Sequence, residues 1–235
     1  MKRGTKRFYK TVDVNAEGEG FAVLLDGKPV KTPGGRTMSS PTLALAKGIA
    51  AEWREQGPLI DLGRMQLTKA LNTALDRVAV HREDVIDELA SFAGSDLLCY
   101  RAEAPEALVQ RQSAVWDHWL KWAAQTLGAD LAVATGIVHT EQMPGPILQI
   151  RSAIAALDDF RLTALHTGVT ITGSAVLGLA FLAGALTADE AFAASQVDEE
   201  FQAERWGRDA EAEGVRARRL EELRAARQYL DLLND

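Results

Sequence analysis

Hydrophobic and polar positions alternate through the chain in three regimes, and the last is the most extreme. No charged residue occurs from Thr167 to Ala188, TGVTITGSAVLGLAFLAGALTA, a stretch of 22 positions. About 20 apolar residues suffice to cross a bilayer. This segment, however, carries Thr167, Thr170, Thr172, Ser174 and Thr187, lacks an aromatic belt, and has no Lys or Arg cluster on one flank. Its pattern predicts a helix over about 170–186 at the centre of a water-soluble bundle, with no membrane insertion. Gly173, Gly178 and Gly184 are expected to let neighbouring helices approach closely. Thr187 with Glu190 forms a capping-box signature for the next helix.

Residues 7–32 read as β: RFYKTVDV, a turn-rich NAEGEG, then FAVLL and KPVKT around Asp26-Gly27, a two-residue hairpin signal. Ser40-Pro41 is expected to open a helix whose apolar face is Leu43, Leu45, Ala46, Ile49, Ala50 and Trp53, ending at Gly57. A second helix is predicted from Gln66 to Val78. A short sheet under two helices makes a two-layer unit, so residues 1–80 are expected to form an α+β N-terminal domain. From residue 81 to 235 the period is helical throughout and predicts a larger all-α bundle. Its helices begin near Asp84, at Pro105 (closing at Gly128), after the MPGP breaker at 143–146, at Asp189 (to Trp206) and at Asp209 (to Leu233). Leu220, Leu223, Leu230 and Leu233 are spaced to pack on the fold or on a neighbour. A monomer is expected.

Charge and composition narrow the function. The net charge of −7 argues against nucleic acid as the main partner, because phosphate binding needs a basic surface. The single cysteine, Cys99, excludes an internal disulfide and fits a reducing compartment. In LLCY it reads as a buried, inert thiol. The basic MKRGTKRFYK has no apolar stretch behind it and is not a signal peptide. A bacterial cytoplasmic protein is expected, or a mitochondrial-matrix protein if the source is eukaryotic.

Catalytic patterns are lacking. The four histidines, His81, His118, His139 and His166, form no ligand pair, so no metal site is expected. Gly18 and Gly20 belong to a turn, and TGVTITGS lacks the lysine of a phosphate loop. No cofactor is expected. The unusual surface is 198–213, DEEFQAERWGRDAEAE. Glu200 and Glu204 lie one turn apart, near Phe201 and Trp206. One reading is a solvated acidic face with both aromatics in the core; the other is a recognition site with an aromatic anchor beside charges.

At this point the chain resembles a known family, the F₁-ATPase assembly chaperones that hold the α subunit of the ATP synthase catalytic sector. The matching segments are RFYK (7–10), LDGKPVKTP (25–33), LALAKGIAAEW (43–53), MQLTKALNTALDRV (65–78), SDLLCYRA (95–102), the run 112–119 from Gln112, and ERWG followed by Asp209. They span nearly the whole chain. Gln66 and His118 depart from the pattern, which has proline there. The resemblance implies a chaperone without catalysis that binds unassembled α subunit until β replaces it. It also implies a partner-binding role for Glu204, Trp206, Gly207 and Asp209, with Glu200 and Phe201 beside them. The alternative is a small-molecule enzyme or ligand-binding domain using a helical cleft near Trp122 and His139.

Overall fold

The computed structural model describes residues 5–136 and 140–235. Two compact units emerge. One runs to Arg82 and includes Gln228–Asp235; the other is Glu83–Arg227. The fold is α+β, with strands concentrated at the start and helices thereafter.

In the first unit, β1 (Val12–Glu17) and β2 (Gly20–Leu25) pair antiparallel from Val12↔Leu25 to Glu17↔Gly20. β3 (Lys28–Pro29) follows through Asp26 and Gly27, both at positive φ (48° and 76°), the backbone a tight primed hairpin turn needs. β4 (Ser39–Ser40) also pairs with β2. Helix α1 (Leu43–Arg54) buries Leu45, Ala46, Ile49, Ala50 and Trp53. Its cap is Thr42, which accepts from the Leu45 N–H at 3.2 Å; Ser40, expected to cap, instead donates to the Thr42 carbonyl. The helix stops at Arg54, before Gly57. α2 (Gln66–Thr73) continues as a π turn through Val78, as its apolar period predicts. The Glu52 carboxylate accepts from the Leu67 and Thr68 N–H groups at its start.

The second unit holds α3 (Arg82–Ser91, whose first residue belongs to the other unit), the short strand β5 (Tyr100–Arg101), α4 (Glu106–Trp122) with a π turn to Leu127, β6 (Ala134–Thr135) and α5 (Pro144–Ala155). β5 and β6 pair in parallel, a strand pair the helical period does not announce. The uncharged segment is not one helix. α6 (Asp159–Thr172) ends where Gly173 takes a φ of 69°, and α7 (Ala175–Leu182) restarts under the Ser174 cap. The close approach comes from Gly178: a Cβ there would meet Val169 Cγ2 at 2.5 Å. Gly173 and Gly184 are turn residues at positive φ with nothing near the missing Cβ. Val176, Leu177, Ala180 and Phe181 are wholly buried. Among the described residues no helix is long and apolar enough to cross a membrane.

α8 (Ala188–Ser195) opens with the full Thr187–Glu190 capping box. The helix expected to run from Asp189 to Trp206 breaks at Gln196, and α9 (Val197–Trp206) follows. α10 (Ala210–Asn234) carries the chain out of the second unit, so its last residues pack in the first.

Candidate functional site

α4 holds α8 by one bond and the start of α9 by another. The Trp116 indole N–H donates to the Ala194 carbonyl at 2.7 Å, and Gln112 Nε2 donates to Asp198 Oδ1 at 2.7 Å. Gln112 Oε1 also accepts from the Ala102 N–H. Phe201 then turns inward and is 7% exposed. Two guanidiniums cover its ring, Arg205 at 4.2 Å and Arg111 at 5.3 Å from the centroid.

Both acidic residues one turn apart are held by arginine. Glu204 accepts a two-pronged pair from Arg111, at 2.8 and 2.9 Å. The Arg111 guanidinium holds that carboxyl below the usual carboxylate range, and Glu204 in turn raises Arg111. Glu200 is half-buried. Burial pushes its carboxyl up, but Arg216 and Arg208 outweigh that and keep it lowered. Arg208 also reaches Glu213 at 3.2 Å. Glu200, Glu204 and Glu213 are therefore held in a charge lattice with arginines rather than left as free carboxylates.

Trp206 stands apart from this lattice. It closes α9, and its side chain is 79% exposed, more than any other large hydrophobic among the described residues. Gly207 follows at φ 89°, the left-handed region that favours glycine, and turns the chain away. Asp209 Oδ1 accepts from the Glu211 and Ala212 N–H groups at 2.9 Å and so caps α10. The structure thus gathers Glu200, Phe201, Glu204, Trp206, Gly207 and Asp209 at one helix end and splits the two aromatics: Phe201 is core, Trp206 is surface. Arg111, Arg208 and Arg216 were not anticipated. Arg111 adjoins the Gln112 segment, but nothing in the sequence links it to a residue 93 positions away.

The other candidates are accounted for differently. Cys99 is buried, and burial pushes its thiol up to about 12. Asp96 is fully buried; burial raises its carboxyl to about 6, while its oxygens accept from the Leu98 and Val176 N–H groups at 3.1 Å. It lines neither the cleft of about 540 Å³ formed by Tyr100, Arg101, Glu103 and Asp198 nor the cavity of about 370 Å³ beside Trp53. Trp122 is half-buried, and His139 lies outside the described residues. Among the described residues no group of three or more His, Cys, Asp or Glu could hold a metal.

Comparison with known proteins decides the family. The model of the ATP12 chaperone protein matches residues 6–124, half of the chain. The chain belongs to the ATP12 chaperone family. These are F₁-ATPase assembly chaperones, as the sequence resemblance implied. The crystal structure of Atp12 from Paracoccus denitrificans shares 45% identity and a TM-score of 0.94, covering 97% of this chain and 98% of that one. An aspartate-to-lysine mutant of the same protein matches equally, with 97% of each chain covered. The mitochondrial protein atp12 of Schizosaccharomyces pombe is 24% identical over 214 residues, covering 86% of this chain and 74% of the relative.

Proposed function

We propose that this ATP12-family chaperone captures the unassembled α subunit of F₁-ATPase by the end of α9, without catalysis, and releases it when β takes its place. The observation that carries this reading is the exposed Trp206 indole next to an arginine–carboxylate lattice. A large aromatic left in water beside oriented charges is the anchor arrangement binding hot spots use. A subunit interface exposed before assembly is an aggregation hazard, and covering it is the chaperone's physical task.

Trp206 supplies the apolar contact. Glu204 supplies the polar one, by sharing or exchanging its Arg111 partner with a basic or amide group of the client. Phe201, Gly207 and Asp209 hold that geometry from below and behind, and Glu200 ties Arg208 and Arg216 into the same face.

Co-purification of α subunit with tagged chaperone tests this directly. Trp206→Ala and Glu204→Lys should each fold with an unchanged far-UV spectrum, since both side chains are exposed, and each should lose most of the captured α subunit. Wild-type recovery of α by both variants would remove the site from consideration.

A further inference from the structure

The first unit contains an aromatic cavity of about 370 Å³, remote in sequence from α9. Tyr9, Trp53, Pro29 and Val30 line it, with Phe8 and Lys28 also contributing. Its size falls within the range of ligand pockets, at the small end. Tyr9 is anchored, its hydroxyl donating to the Trp53 carbonyl at 2.6 Å with the two rings edge to face. The Trp53 indole N–H is buried and has no acceptor. A buried donor left unmet is uncommon in a finished core.

The charges around the cavity are unequal. The Asp26 carboxylate is occupied by the Lys10 and Thr11 N–H groups, and Lys31 by the Thr37 hydroxyl. The Lys28 side chain is exposed, and its ammonium makes no hydrogen bond or ion pair among the described residues. Apolar surface continues outside the cavity. Phe8 is 67% exposed, and exposed Leu59 lies beside the same segment through the Lys6↔Leu59 bridge. A small ligand would fill the cavity and leave that surface wet; a segment of several residues covers both.

We propose that this cavity docks an extended peptide segment carrying an aromatic or leucine side chain next to a carboxylate. The apolar side chain packs against the Tyr9–Trp53 pair beside Pro29 and Val30, the carboxylate meets Lys28, and a carbonyl brought in with the segment gives the Trp53 N–H its acceptor. This site works independently of α9.

Titration of the ¹⁵N-labelled full chain with N-acetyl-Ala-Phe-Asp-Ala-amide, followed at the indole N–H resonances, tests it. One resonance, assigned by its loss in Trp53→Phe, should shift saturably. The Phe-Lys counterpart should bind about fivefold more weakly, and Lys28→Glu should invert that preference. Because Lys28 is exposed, the inversion remains readable even if Trp53→Phe fails to fold. Absence of a saturable shift, equal binding of the two peptides, or phenylacetate binding as tightly as the peptide would each overturn the proposal, the last by making the cavity a small-acid pocket. Glu204→Lys should bind the peptide as wild type does, so this result and the α-capture result stand or fall separately.

Discussion

Asp96 shows what burial does to one residue. Its carboxylate accepts backbone N–H groups at the starts of two helical turns, yet full burial raises its pKa to about 6. An unfolded aspartate titrates near ~3.9. The folded state therefore favours the protonated form. Its contribution is greatest below pH ~4, falls as pH rises through about 6, and is flat above. The carboxyl ¹³C resonance of Asp96 should titrate with a midpoint near 6, and a midpoint near 4 would show that the N–H groups outweigh burial. Cys99 gives a second check at this scale. With its thiol pushed up to about 12, it should resist a disulfide reagent at pH 8 in the native protein and react only on unfolding. The burial of Cys99 was legible because LLCY is apolar on both sides. The fates of Phe201 and Trp206 were not separated, although five helical steps turn about 140° and place them on different faces.

Among elements, the least legible feature is the division of the uncharged segment into α6 and α7. A glycine that stops a helix and one that lets a helix approach look alike in sequence. Gly173 does the first and Gly178 the second. Gly178→Ala would press a methyl group onto Val169 and should cost ~1–3 kcal/mol in urea unfolding. Capping was partly legible. The Thr187–Glu190 box formed as its spacing predicts, whereas Thr42 rather than Ser40 caps α1, because Pro41 and Thr42 both precede the first helical turn. Asp209 is the cap that matters for the candidate site. Asp209→Ala should cost ~1 kcal/mol of stability, while Asp209→Asn, which can still cap, should stay close to wild type. If Asp209→Asn retains α-subunit capture and Asp209→Ala weakens it, Asp209 acts by holding the start of α10.

For the whole molecule, the α+β class and the order of sheet before bundle were readable from two periods, 2 over residues 7–32 and 3.6 from Ser40 onward. The destination of the last turns was not. Leu223 is buried in the second unit, while Leu230 and Leu233 are buried in the first, and one leucine spacing serves both. Thr42 Oγ1 donates to the Leu232 carbonyl at 2.6 Å, tying the terminus to the start of α1. A Leu232 methyl lies 2.9 Å from where a Cβ on Gly48 would sit, so α1 is shaped to receive it. Removal of Gln228–Asp235 strips Tyr229, Leu230 and Leu233 from that core and should cost several kcal/mol, on the order of 1.5–3 per large side chain. Calorimetry should show a lowered melting temperature for the truncated chain.

The same terminus has a consequence during synthesis. The sheet and α1 leave the ribosome long before Gln228–Asp235, whose side chains complete their core. Until that segment has emerged, the sheet and α1 wait with a greasy seam open, and a chain that stops short of Gln228 never closes it.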